Sequence, residues 1–137
     1  MADWEFVKRA ASAGEALAKV AEVQRPLHEW LCERIEEKGL VKRSVIRRSR
    51  LNQTFAYQIL SGQRKPSRDK LIQLSFGLGL SIEECSEVLE RGGHCALQFS
   101  CRRDVAIAFC LHNGYGIDEC DDLLWDVGER TVVSAGA

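Results

Sequence analysis

Apolar residues recur along most of this chain every three to four positions, and no convincing stretch alternates residue by residue. That period belongs to helices, so the pattern predicts an all-α protein. Residues 3–23 carry Val7, Ala10, Gly14, Leu17 and Ala21 on one stripe. This segment is alanine-rich and weakly amphipathic, and reads as an arm or as a helix completed by a partner. Pro26 is placed to open the next helix, in which Leu27, Trp30, Leu31 and Ile35 share a stripe. Lys38-Gly39 ends it as a C-terminal glycine cap. Two short segments follow. Residues 42–49 put Val45 and Ile46 inward and arginines outward; Arg50-Leu51 breaks them. Residues 53–60 start behind Asn52, a good N-cap, and stop at Ser61-Gly62. Ser67 caps a further helix with Leu71, Leu74 and Leu78 on one side. Ser81-Ile82-Glu83-Glu84 has the form of a capping box ahead of Cys85, Val88 and Leu89. Beyond Gly92-Gly93, residues 104–112 and 117–127 read as two more helices, and the tail 131–137 as disordered.

The balance of 45% hydrophobic and 28% charged residues in 137 fits a globular chain of about one domain with a small extension. The longest apolar run, Val105 to Leu111, falls far short of the ~20 residues that span a bilayer. The first residues lack the basic start and apolar block of a secretory signal. A cytoplasmic protein with no membrane partner is the expectation.

The formal charge is only -1, but its distribution is uneven. Between Lys42 and Lys70 there are nine basic residues and one acid, Asp69, a surplus of eight positive charges. The rest of the chain therefore carries nine net negative charges. A local excess of this size is the footprint of a polyanion partner. The plainer reading of a charge run is a solvated face.

A long helix is followed by two short ones around a tight turn, the short pair lying inside the basic block. That order is the helix-turn-helix unit, whose second helix can lie in a DNA major groove while the first crosses the backbone. On a helical wheel of residues 53–60, Ala56, Ile59 and Leu60 cluster on one side. Gln53, Thr54, Tyr57 and Gln58 cluster on the other, which holds no acid. Glutamine can pair with adenine N6 and N7, and threonine offers a hydroxyl and a methyl to base edges. An ordinary polar helix surface is the competing reading, and four such residues between basic loops count against it. Lys42, Arg43, Asn52, Arg64, Lys65 and Arg68 are then the candidate phosphate contacts. Arg47 and Arg48 either join them or stay solvated.

From about Leu27 to Leu89 the sequence resembles the Cro and phage-repressor family of regulators, also called the xenobiotic-response-element family. The run from Asn52-Gln53-Thr54-Phe55 through Ser61-Gly62-Gln63-Arg64-Lys65-Pro66-Ser67 carries most of the likeness, and Leu71 to Ser81 extends it. The resemblance implies a five-helix domain, usually a homodimer on a palindromic double-stranded DNA operator. It also puts Gln53, Thr54, Tyr57 and Gln58 at base-facing positions, and Lys42 where the family often has a phosphate-contacting glutamine. Three positions depart from the pattern. Ile46 replaces the usual alanine, Arg50 replaces a turn glycine that often needs positive φ, and Ala56 stands where a larger aliphatic is common.

The segment from Ser81 to Val127 holds ten acids and three bases, so it should face away from DNA. A dimerisation or protein-partner role competes there with a simple cap on the core. His94, Cys95, Cys101, Cys110, His112 and Cys120 lack the close pairs of structural zinc sites. No catalytic or cofactor constellation stands out, so neither an enzyme nor a cofactor is expected.

The expected organisation is thus a repressor-like helix-turn-helix domain over 25–93, with a helical arm over 1–24, an acidic helical extension over 94–130 and the tail. The expected function is sequence-specific DNA binding in transcriptional regulation. The alternative is an adaptor of the same fold, docking on a protein through its acidic C-terminal unit.

Overall fold

The computed structural model describes residues 4–23 and 25–133, and every regular element among them is a helix. In chain order these are α1 (Glu5–Arg9), α2 (Ala13–Val23), α3 (Leu27–Glu37), α4 (Lys42–Ser49), α5 (Gln53–Leu60), α6 (Arg68–Leu78), α7 (Ile82–Arg91), α8 (Arg102–His112) and α9 (Ile117–Asp126). None is long and apolar enough to cross a membrane.

α6 is the axis of the core. Its pattern suggests one apolar stripe, but all eight residues from Leu71 to Leu78 are buried. The reason is that α4, α7 and α9 all pack against it, so no face is left for water. Its two buried polar side chains are used internally. Gln73 Nε2 donates to the Ser49 carbonyl at 2.9 Å, and Ser75 Oγ donates to the Leu71 carbonyl at 2.8 Å. α4 lies so close to α6 that Gly77 has no room for a side chain. A Cβ there would sit 2.0 Å from Ser49 Oγ and 2.4 Å from the Val45 carbonyl oxygen.

Local capping fixes the helix starts. Asn52 Oδ1 accepts from the Phe55 N–H, and Ser67 Oγ from the Lys70 N–H. Ser81 and Glu84 form the expected capping box. Burial alone would raise the Glu84 pKa. Hydrogen bonding with Ser81 and the Lys38 charge outweigh that and hold it below the ordinary value.

The arm is not one helix. The chain breaks between α1 and α2, where Ser12 Oγ accepts from the Glu15 N–H and the Glu15 carboxylate accepts from the Ala11 N–H. This reciprocal cap starts α2 inside a stripe that looks continuous. Trp4, Val7 and Leu17 are exposed. Residues 1–3 and 24 lie outside the described residues.

The C-terminal extension is not a separate unit either. Ile107, Cys110, Leu111, Ile117, Cys120 and Leu124 belong to the same core as α3–α7. So few apolar residues cannot bury themselves alone, and they close over α6 and α7 instead. Two crossed ion pairs lock the junction. Arg68 forks onto Asp104 at 3.1 and 2.8 Å, and Arg103 forks onto Asp69 at 3.0 and 3.1 Å. The expected disorder of the tail fails for residues 131–133. Val132 is buried, and the N–H groups of Val132 and Val133 donate to the Asp121 carboxylate at 2.6 and 3.1 Å. Residues 134–137 lie outside the described residues.

Candidate nucleic-acid interface

Arg50, Leu51 and Asn52 are all that separates α4 from α5. Arg50 takes φ 60°, ψ 25°, the left-handed conformation, and is the one non-glycine among the described residues with positive φ. The turn thus keeps the glycine conformation with an arginine in it, which costs on the order of 1–2 kcal/mol. Its surroundings hold it there. Leu51 is buried below, and Gln73 grips the preceding carbonyl. The Arg50 guanidinium forks onto Asp118 at the start of α9, with Nη2 2.5 Å and Nε 3.1 Å from the nearer carboxylate oxygen. Hydrogen bonding and the Asp118 charge raise the Arg50 pKa. The pair is solvent-exposed, so it fixes geometry more than it adds stability.

α5 buries Ala56, Ile59 and Leu60 and turns Gln53, Thr54 and Tyr57 outward. Ile46 and Ala56 both lie in the core, large beside small. Thr54, Tyr57 and Gln58 line one open groove together with Lys42, and among the described residues no carboxylate lines it. Gln53 stands exposed at the head of the helix. Past its end, Gly62 (φ 82°) lies against α3, where a Cβ would come 2.7 Å from His28 Nδ1. This contact holds the Ser61-Gly62 step and the basic loop in place.

Lys42 and Arg43 are exposed in the first turn of α4, and Arg64 and Lys65 are exposed in the loop after α5. Asn52 spends its side-chain oxygen on the cap of α5. Arg68 requires a correction. It is bonded to both carboxylate oxygens of Asp104 and to the Cys95 and Ala96 carbonyls, at 2.8–3.2 Å. Burial works against its charge, but the Asp104 hydrogen bond and charge win and raise its pKa. Arg68 therefore ties α6 to the C-terminal helices and is not available to a phosphate. Its partner Asp104 lies 36 positions away, too far for local charge counting to find.

Further side chains lie on or beside this surface. Arg64 Nε donates to Gln58 Oε1 at 2.9 Å. The Arg64 guanidinium and the Lys70 ammonium lie 5.6 and 5.9 Å from the Phe55 ring, within cation–π range. Arg47 and Arg48 are exposed and, among the described residues, in no ion pair; they line a cleft with Phe76, Leu111 and Tyr115.

Cys85, Cys110 and Cys120 are buried. Burial pushes all three thiols up, Cys85 to about 11, so they pack as neutral hydrophobes. Among the described residues no group of three His, Cys, Asp or Glu is arranged to hold a metal ion.

In comparisons with protein-family models, with curated proteins and with solved structures, the chain finds no match. The case for a function rests on geometry, charge and hydrogen-bonding chemistry.

Proposed function

We propose that this protein is a sequence-specific binder of double-stranded DNA, in which α3–α7 act as a repressor-like helix-turn-helix unit. One observation carries the reading. Among the described residues the outer face of α5 is uncovered and free of acids, and Thr54, Tyr57 and Gln58 share a groove with Lys42. An α-helix is about 10–12 Å across with its side chains, and a major groove is about 12 Å wide, so α5 fits lengthwise. Gln53, Thr54, Tyr57 and Gln58 would meet base edges. Lys42, Arg43 and Lys65, with the Asn52 amide NH2, would grip phosphates on either side. The reading implies a cytoplasmic regulator of the Cro and phage-repressor type. It would work as a homodimer on half-sites about 34–36 Å apart.

The adaptor reading has one observation in its favour. Phe99, Val105, Phe109 and Val127 are exposed and line a single apolar groove along α8 and α9. Fluorescence anisotropy with labelled duplexes at roughly 50–200 mM salt separates the two readings. Three cationic phosphate contacts per protomer give a slope of log affinity on log salt of about -3 for one protomer and about -5 for two. Absence of salt-dependent binding to any duplex favours the adaptor.

A further inference from the structure

The pairing of Gln58 with Arg64 changes what this face can read. Three donors converge on the Gln58 carbonyl: Ser61 Oγ at 3.2 Å, the Gln63 N–H at 2.9 Å and the Arg64 N–H at 3.2 Å. The loop therefore folds back on residue 58, which brings the Arg64 side chain beside its amide. Arg64 Nε donates to Gln58 Oε1 at 2.9 Å, while Phe55 supports the guanidinium from below. Gln58 is half-buried as a residue, and its bond to Arg64 lies at the exposed surface of the helix.

A free glutamine reads adenine because it accepts from N6 and donates to N7. Here the accepting oxygen is already engaged by Arg64. One lone pair of that oxygen remains beside the Gln58 NH2 and the Arg64 Nη1 and Nη2 groups, so donors outnumber acceptors here. Guanine offers two acceptors in the major groove, N7 and O6, whereas adenine offers one acceptor and a donor. We infer that Arg64 is a specificity-determining residue that acts with Gln58 as a donor-rich pair, selecting guanine where Gln58 alone would select adenine. The inference rests on the DNA-binding reading and assigns Arg64 to a base edge instead of a phosphate.

The test is selection from a random duplex pool at physiological salt, using the full chain and its Arg64→Ala, Arg64→Lys and Gln58→Ala variants. The parent should enrich one guanine in each half-site, preferred over adenine on the order of tenfold. Gln58→Ala should lose that preference. Arg64→Ala should still select the rest of the site but move toward adenine at this position, because the amide oxygen is released. Arg64→Lys should keep the salt dependence and prefer guanine more weakly than the parent, since lysine donates but lacks the fork.

Adenine enrichment by the parent overturns the inference. So does an Arg64→Ala variant that keeps the parent's base preference and loses affinity equally on every duplex, because that is a phosphate contact. An Arg64→Lys variant that turns to adenine overturns it as well. Each of these leaves the DNA-binding reading standing. A parent that retains no duplex at all overturns both.

Discussion

Replacing Gly77 with alanine tests the packing that sets the attitude of α5. The new methyl would sit 2.0 Å from Ser49 Oγ, 3.2 Å from Ser49 Cβ and 2.4 Å from the Val45 carbonyl oxygen. The Ser49 hydroxyl could move, at the loss of its 2.7 Å bond to that same carbonyl. The carbonyl belongs to the α4 backbone and cannot move alone, so α4 must be displaced by roughly 1 Å, about the shortfall from ordinary van der Waals contact. Overpacking of this kind costs about 1–3 kcal/mol, and a clash with backbone belongs at the upper end. Alanine returns about 1 kcal/mol through its helix propensity. The net loss is about 2 kcal/mol, or a Tm lower by about 8 °C for a domain of this size. Urea and thermal unfolding followed by circular dichroism measure it. Adding Ser49→Ala should recover only part of the loss, because the Val45 carbonyl remains in the way. A Gly77→Ala variant as stable as the parent would refute the close approach of α4 and α6.

Three further outcomes follow from other parts of the structure. Asp104→Asn leaves the half-buried Arg68 without its counter-charge and should cost about 3 kcal/mol in urea unfolding; a loss below about 0.5 kcal/mol would contradict the bridging role of this pair. The buried Cys85 thiol titrates at about 11 in the fold, and at about 8.5 in an unfolded chain. Its contribution is intact below about pH 8.5 and is lost as pH rises toward 11, by up to about 1.4 kcal/mol per pH unit. Unfolding free energies at about pH 8 and about pH 10.5 should show the fall, and Cys85→Ala should make it shallower, the remainder coming from Cys110 and Cys120. Finally, Lys65→Ala should weaken specific and random duplexes alike and reduce the salt slope by about 1 per protomer, whereas Gln53→Ala should cost about 1–3 kcal/mol on the selected site only; equal losses on both duplexes for the glutamine variant would remove it from the base-reading set.

Much of the helical order is legible in the sequence because its determinants are local. The cap at Asn52, the capping box at Ser81 and Glu84, and the apolar stripes of α3 and α5 all act within a few residues. The break at Ser12 is just as local, yet it hides behind a continuous stripe. The assignments that failed depend on long-range partners. Nothing near Arg68 reveals Asp104, and nothing near Val132 reveals the Asp121 carboxylate that accepts from its N–H. Nor does the pattern of α6 show that a later helix will cover its remaining face. For the candidate site, periodicity identifies which side of α5 faces out, but not that Arg64 holds the Gln58 amide. That bond depends on how the loop after α5 closes, which the type of a single residue does not encode.

The most direct measurement is amide chemical-shift mapping of the labelled full chain as duplex DNA is added. If α5 enters the major groove, the largest changes fall on residues 53–58, on Lys42 and Arg43, and on the loop at Arg64 and Lys65, while the apolar groove of α8 and α9 stays quiet. Changes confined to α8 and α9, or none at any duplex concentration, would contradict DNA binding through this face.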